Sequence, residues 1–357
     1  VWITSSLDTV LTPTVIALGN FDGLHRGHQQ VIQPILKQPS PLDSRQRTEM
    51  LLTNPVTLLT WDRGVLENPV GESPPFYSTV VTFHPHPQEF FTGQPKKLLT
   101  PLDEKVEWLK IMGVEQLVLL PFDEHMATLT PRDFVEKILI QKLQPSCISV
   151  GFDFRFGTKR TGTVKDLEKI AAHHGIKVKT VPLFLCENGE RISSSEIRTA
   201  LENGAIRRAN QLLGRPYHLV GSVVHGKQLG RTIGFPTANL HLPPEKFLPR
   251  YGVYAVKVSE TEIKSRSETG SDANLELVNH PGVMNIGCRP TVAGQTVTIE
   301  VHLLDWSGDL YGKTLKINLE EFLRPEQKFP SLESLKTQIQ ADCLHATKVL
   351  TVGTSDS

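Results

Sequence analysis

Apolar residues recur in the first half of this chain as short runs, at Thr14 to Leu18, Ser78 to Thr82, Gln116 to Leu120, Cys147 to Val150 and Lys177 to Val181. Helical patterns lie between them, and that alternation predicts a parallel sheet wrapped by helices. Thr130 before Pro131 reads as an N-cap followed by a first-turn proline, and Phe134, Ile138 and Leu139 keep helical spacing within the Asp133 to Leu143 stretch. A further helix is predicted from Val164 to His174, stopped at Gly175, and another helical stretch from Ser193 to Leu213, stopped at Gly214.

Beyond Pro216 the period changes to two. The segments HLVGSVVHG, GVYAVKVS, QTVTIEVHLLD and KTLKINLEEFL alternate apolar and polar positions between glycines and prolines. They predict a small antiparallel barrel. Ser331 is expected to cap a closing amphipathic helix with Leu332, Leu335, Ile339 and Leu344. Two stretches lose all periodicity, Lys37 to Pro75 and Ser265 to Asn279, and are read as polar surface insertions, the first partly disordered. The tail from Gly353 is expected to fray. The organisation predicted is an α/β domain over 1–213, a barrel with its helix over 214–350, and a tail over 351–357.

Composition adds exclusions. Basic and acidic residues balance at 38 each, so no global field favours nucleic acid or an anionic membrane, and any anion must be held locally. The cysteines, Cys147, Cys186, Cys288 and Cys343, form no C-x-x-C pair, which argues against zinc and suits a reducing cytoplasm. No apolar run approaches the roughly 18 residues of a spanning helix. The chain opens on Val1, which leaves processing, trimming and misassignment of its start all open.

Candidate chemistry sits where a parallel sheet places its ligand, beyond the carboxyl ends of the strands. GNFDGLHRGH, residues 19–28, directly follows the first apolar run. A glycine-rich strand-to-helix turn brings backbone N–H groups to a phosphate, and His25 and His28, three apart, face one direction. Two imidazoles there can stabilise charge building on a leaving pyrophosphate. The same residues also fit a pair of surface histidines after a tight turn, or a metal pair still lacking its third ligand. TFHPHP (82–87), VGFDFRFG (150–157) and RISSSEIR (191–198) add polar clusters, the last a candidate phosphate clamp.

In the second half, Gly221 to Lys227 nearly spells G-x-x-x-x-G-K. Gln228 replaces the metal-reaching Ser/Thr, and the strand-rich context is wrong, so a P-loop is rejected. What remains is a glycine-rich flap with Gly226, Gly230 and Gly234, followed by Thr237 and Asn239, short oxygen donors suited to Mg²⁺. A plain hairpin loop with a proline turn is the alternative. Alternation in TIEVHLL puts Glu300 and His302 on one face, opposite Ile299 and Val301.

Taken in order, and joined by MNIGCRPTV, DLYG and FLRPEQKF, these stretches resemble the bacterial bifunctional riboflavin kinase/FMN adenylyltransferase family, often called FAD synthetase. The resemblance implies a Rossmann-like nucleotidylyltransferase domain followed by a riboflavin kinase barrel. It implies that His25 and His28 act on the ATP phosphates, with Gly19, Phe21, Asp22, Gly23, Gly27, Arg191, Ser194 and Ser195 around them. His84, His86, Asp153 and Arg289 would belong to the flavin or nucleotide pocket. Gly226, Gly230 and Gly234 would wrap the second ATP, Thr237 and Asn239 would hold Mg²⁺, and Glu300 would be the base. Riboflavin, FMN and FAD are the implied flavins. The chain departs from the family pattern in having Ser193-Ser194-Ser195 where Ser-Ser-Thr is expected, and in its long insertion over 37–75. Rival readings are a nucleotidyltransferase for another phosphate ester, with the barrel as a specificity module, and a flavin-binding regulator without chemistry.

Overall fold

Every residue of the first apolar run is buried, and its alternate side chains enter different cores. Ile16 and Leu18 pack with Val81, Val118 and Ile148 on one face, while Val15 and Ala17 pack with Val80 and Leu117 on the other. A strand covered on both faces reads as continuously apolar, which is why this run does not alternate. The computed structural model describes residues 1–36, 76–186, 188–226, 229–261, 277–291 and 294–352. The predicted insertion over 37–75, most of that over 265–279 and the tail from Gly353 lie outside the described residues. The chain divides into two units, Val1–Ser194 and Ser195–Ser357.

In the first unit, β1 (Trp2–Thr4), β2 (Thr14–Leu18), β3 (Tyr77–His84), β4 (Gln116–Pro121), β5 (Pro145–Gly151) and β6 (Lys177–Val181) form a parallel sheet in the order β1-β4-β3-β2-β5-β6. Five of these strands match the predicted runs. β1 was not predicted, because its apolar run, Val1-Trp2-Ile3, is short and only Thr4 of the strand's three residues is buried. The Thr130 cap forms as expected, its Oγ1 accepting from the Asp133 N–H at 3.1 Å. The body of that helix, Phe134–Leu143, is wound as a π-helix. Its buried residues, Phe134, Val135, Ile138, Leu139 and Leu143, are two adjacent pairs four residues apart followed by Leu143, and they form its core face.

In the second unit, β7 (Tyr217–Val224), β8 (Ala238–His241), β9 (Gly252–Glu260), β10 (His280–Thr291), β11 (Gly294–Leu303) and β12 (Thr314–Arg324) close into an antiparallel barrel ordered β10-β11-β8-β7-β12-β9. β8 and β10 were not among the predicted strands, since PTANL is too short and MNIGCRPT is broken by glycine and proline.

The stretch after Ser193 is two helices, Ser194–Glu202 and Ile206–Leu213, broken at Gly204, whose φ is +76°. A Cβ there would stand 3.0 Å from the Phe322 ring of β12, so the break also lets this segment lie against the barrel. The closing helix spans Leu332–Val352. Its expected inner face is corrected: Leu332 and Leu344 are 58% and 65% exposed. The stripe that turns inward is Leu335, Ile339, Asp342, Ala346 and Leu350, at steps of three and four, with an aspartate at its centre.

Candidate active sites

The chain leaves β2 through a strained loop. Phe21, Gly23 and Leu24 have φ of 48°, 92° and 43°, a left-handed conformation costing about 1–3 kcal/mol at a non-glycine residue. Phe21 and Leu24 hold it because both side chains are 1% exposed and anchored in the core. Gly19 lies under Phe21, where a Cβ would meet the ring at 3.2 Å. The loop delivers His25 as N-cap of the helix Arg26–Ile32, its Nδ1 accepting from the His28 N–H at 3.2 Å. That bond fixes the tautomer, so Nε2 is the protonated, donating nitrogen. The His25 and His28 rings stack at 3.7 Å, and a Cβ on Gly27 would stand 3.2 Å from the His25 ring. The two imidazoles therefore do converge.

Asp22 is turned away from solvent. Its Oδ1 accepts from the N–H groups of Leu99 and Thr100, at 2.8 and 3.3 Å, and it is 4% exposed. Its carbonyl accepts from Ser194 Oγ at 2.7 Å, which joins the serine stretch to the histidine loop. The Ile192 carbonyl approaches Gly27, and Arg26 lies 5.2 Å over the Phe184 ring, so the 184–194 segment runs beside the histidines. Arg191 donates to Asp153, and both are half exposed. Ser195 begins the second unit. Beneath the loop, Lys105 is buried and its Nζ donates to the Asn20 carbonyl at 3.3 Å. Burial holds its pKa below the usual lysine value, opposed by the Asp22 charge. Sequence reading missed this lysine, which carries no motif signal.

His84 ends β3 on the surface, and His86 caps the helix Pro87–Thr92, its Nδ1 accepting from Gln88 N–H at 3.1 Å and Glu89 completing the capping box. Burial, then the Lys96 ammonium 3.0 Å from Nε2, pushes the His86 pKa down to about 4. His86 is therefore neutral at pH 7.

Around these groups lies an aromatic chain that sequence reading did not assemble. Phe91 and Phe90 reach Phe122 at 5.8 and 5.6 Å, Phe122 meets Phe83, Phe83 meets Phe134, and Phe134 meets Phe156, which stacks on Phe154. Phe83, Phe122, Phe154 and Phe156 lie at or just after the carboxyl ends of β3, β4 and β5. Phe91 is 69% exposed and Phe152 63%, so this edge offers aromatic surface to a flat ligand.

The barrel unit holds a cavity of about 280 Å³. Thr237, Asn239, Glu300 and His302 line it, with Gly230 at its rim and the closing helix contributing Leu335, Ile339 and Asp342. Strand alternation places Glu300 and His302 toward the cavity, as expected, while Ile299 and Val301 are buried. Asn239, Glu300, Asn285 and Val253 are successive register partners across β8, β11, β10 and β9, so one row of side chains crosses the cavity wall. His302 Nδ1 bonds the Pro236 carbonyl at 2.8 Å, tying β11 to the turn before Thr237.

The glycines of the flap have separate reasons. A Cβ on Gly226 would fall 2.2 Å from Asn239 Nδ2, and one on Gly230 would fall 2.2 Å from the Phe235 carbonyl. Gly234 adopts φ +89° with open space around it. Lys227, Gln228 and the Arg289 side chain lie outside the described residues, although the Arg289 backbone pairs with Thr296 in β10.

Among the described residues no cluster of His, Cys, Asp and Glu could hold a metal ion. The donors gathered in the cavity, Thr237 and Asn239 beside the Glu300 carboxylate, fit Mg²⁺, which takes few protein oxygens and completes its shell with phosphate and water. No helix among the described residues is long and apolar enough to cross a membrane.

Comparison with known proteins gives two family-model matches, one described as riboflavin kinase over residues 213–350 and one as FAD synthetase over 8–54 and 70–196. The chain is 38% identical over 333 residues to the bifunctional riboflavin kinase/FMN adenylyltransferase of Escherichia coli K12, covering 93% of this chain and 91% of that protein. It is 36% identical over 335 residues to the protein of the same name from Bacillus subtilis 168, covering 92% and 90%. A solved structure from Streptococcus pneumoniae, named a macrolide-efflux protein, superimposes with a TM-score of 0.72 at 28% identity over 95% of this chain and 96% of that one.

Proposed function

The chain belongs to the family of bifunctional riboflavin kinases/FMN adenylyltransferases, and we propose from that membership and the two sites that it makes FAD from riboflavin in two ATP-dependent steps. Riboflavin is phosphorylated in the barrel cavity. FMN is then adenylylated at the carboxyl edge of the parallel sheet, with release of pyrophosphate. The observation that carries this reading is the cavity itself, in which Thr237 from the turn before β8, Asn239 on β8 and Glu300 on β11 converge. A binding module has no evident use for a carboxylate set among magnesium-type donors.

In the first step the ribityl primary hydroxyl attacks the γ-phosphorus of ATP and ADP leaves. Glu300 accepts the hydroxyl proton, and the row position of Asn285 beside it sets the polar end of the cavity. Gly226, Gly230 and Gly234 let the flap approach the triphosphate. Mg²⁺, held by Thr237 and Asn239, would supply charge neutralisation on the transferring phosphoryl group.

In the second step a phosphate oxygen of FMN attacks the α-phosphorus of a second ATP. His25, through Nε2–H, and His28 stabilise the charge that builds on pyrophosphate. Gly19, Phe21, Asp22, Gly23 and Gly27 shape the loop that presents them, and Arg191, Ser194 and Ser195 contact the triphosphate from the other side. The aromatic edge takes the isoalloxazine ring, with His84, His86 and Asp153 around it and Arg289 assigned to the flavin or nucleotide pocket. We assign the adenylyltransferase motifs to 1–213 and the kinase motifs to 214–350, with the helices Ser194–Glu202 and Ile206–Leu213 packed on the barrel. The free cysteines fit a cytoplasmic enzyme.

The test is direct: the purified chain is incubated with riboflavin, ATP and Mg²⁺, and flavins are resolved by chromatography. FMN followed by FAD is the expected result. FMN alone would leave only the kinase, and no product would return the chain to the class of flavin binders.

A further inference from the structure

The inward stripe of the closing helix carries Asp342 where an apolar residue would ordinarily sit, and this carboxylate is 5% exposed. A buried ion pair is weak evidence of a stability role, because well-packed apolar residues in its place are often as stable or more so. The charge therefore calls for another reason.

Its partner is Arg324, the last residue of β12. Arg324 Nε donates to Asp342 Oδ1 and Oδ2 at 2.9 and 3.1 Å, and a second guanidinium nitrogen donates to Oδ2 at 2.7 Å. The third donates to the Pro325 carbonyl at 3.1 Å, and Gln338 donates to Asp342 Oδ1 at 2.9 Å. Three of the five guanidinium N–H groups are thus engaged, two of them on Asp342. The Phe329 ring lies 5.6 Å from the guanidinium carbon, and Arg324, Asp342 and Phe329 all line the cavity that contains Glu300.

We propose that Asp342 is a positioning residue of the riboflavin site: by a bidentate grip on two N–H groups of Arg324 it fixes the plane of the guanidinium, so that its face is the surface that meets the flat flavin ring. Arginine can lie plane to plane on an aromatic ring, whereas lysine offers only a point charge, so the device requires arginine at 324 and a bidentate acceptor at 342. This inference rests on the assignment of the cavity to riboflavin.

The experiment is a double-mutant cycle in the full chain with Asp342→Asn, Arg324→Ala and the pair. Riboflavin phosphorylation kinetics and quenching of riboflavin fluorescence are measured, and FMN adenylylation serves as the control for folding. Each single change should raise the riboflavin KM on the order of 10-fold, the scale of a lost charge-assisted hydrogen bond, with much smaller effects on kcat and on the KM for ATP. On the Arg324→Ala background, Asp342→Asn should add nothing. Arg324→Lys, which keeps the charge and loses the plane, should behave like Arg324→Ala and covers the case in which Asp342→Asn does not fold.

A wild-type riboflavin KM in Asp342→Asn, with only a lowered melting temperature, would make the pair purely structural and overturn the proposal. Equal KM increases on both backgrounds would do so too, as would a wild-type KM in Arg324→Lys. A wild-type chain that fails to phosphorylate riboflavin would instead overturn the cavity assignment, and the positioning role with it.

Discussion

Glu300 on β11 and Asn239 on β8 are direct partners in the antiparallel register of the barrel, so their side chains leave the sheet on the same face and line the same cavity. The pairing fixes the proposed base beside the proposed magnesium donor without any loop between them. Rigid strands hold such a geometry better than a loop does. We expect Glu300→Gln, which keeps size and hydrogen bonding, to slow riboflavin phosphorylation by about 10²- to 10⁴-fold, the usual contribution of a positioned base. FMN adenylylation should continue at its normal rate. Turnover of riboflavin near wild type in this variant would remove Glu300 from the mechanism.

The Asn239 amide in turn depends on a missing side chain. A Cβ on Gly226 would fall 2.2 Å from its Nδ2, far inside contact distance. Gly226→Ala should therefore displace Asn239, raise the Mg²⁺ concentration required for half-maximal riboflavin phosphorylation, and leave the far-ultraviolet spectrum and adenylylation unchanged. An unaltered Mg²⁺ dependence would show that Asn239 keeps its place with a side chain at position 226.

Much of this was legible before the structure. Thr14 to Leu18 read as a strand of a parallel sheet from its short apolar run, and the structure buries all five residues; TIEVHLL declared its polar face through strict alternation. What escaped was set by contacts remote in sequence. Asp342 carries no signal in the apolar periodicity of its helix: Leu344 keeps that spacing yet is 65% exposed, while the buried aspartate holds the inner position. The phenylalanine chain escaped for the same reason: Phe83 on β3 and Phe122 after β4 meet only once those strands pair, and Phe134 alone links them to Phe156 and Phe154 beyond β5. Lys105 sits in an ordinary helical pattern, and only burial under Asn20 marks it.

His25 and His28 are separable by role. His25 caps its helix through Nδ1, so His25→Ala removes both a cap, worth about 1 kcal/mol, and a donor. His25→Asn restores a capping side chain but not the Nε2–H donor. We expect both variants to lose roughly 10²-fold or more in adenylylation, as when one preorganised donor is removed, with only the alanine variant less stable to heat. His28→Ala should lose activity similarly. Riboflavin phosphorylation, measured on the same preparations, should hold in all three, and a parallel loss there would identify a folding defect.

His86 gives a pH signature. Its folded pKa of about 4 lies below the ordinary 6.5, with burial the larger cause and Lys96 the second. Between these values the unfolded chain binds the proton that the folded chain does not, so this contribution is complete above about pH 6.5 and is lost as pH falls toward 4. We expect melting temperatures of the wild type and of His86→Asn, which retains a capping residue, to converge in their pH dependence above pH 7 and to diverge below pH 6, the wild type falling more steeply. Identical slopes from pH 4 to 7 would show that His86 is protonated in the folded chain.

The last expectation concerns where the kinase unit begins. Its barrel strands start at Tyr217, and a cut at Gly214 looks natural from the change in sequence period. The contacts argue for an earlier cut. Asn210 Nδ2 donates to the Leu319 carbonyl at 2.9 Å while its Oδ1 accepts from Tyr217 N–H, and Arg250 N–H donates to the Leu201 carbonyl at 2.9 Å. Ile197, Leu201, Ile206, Ala209 and Leu212 are all buried, on helices whose Gly204 break packs on Phe322. Removing both helices would strand backbone donors and acceptors and bare an apolar face, each a recognised source of destabilisation of several kcal/mol. A fragment from Ser195 to Ser357 should therefore fold cooperatively and phosphorylate riboflavin, whereas one starting at Gly214 should melt at markedly lower temperature or aggregate. The measurement is a calorimetric scan of both fragments beside a riboflavin phosphorylation assay. Equal stability and equal activity would mean that the two helices contribute nothing to the barrel and that the boundary lies at Gly214 after all.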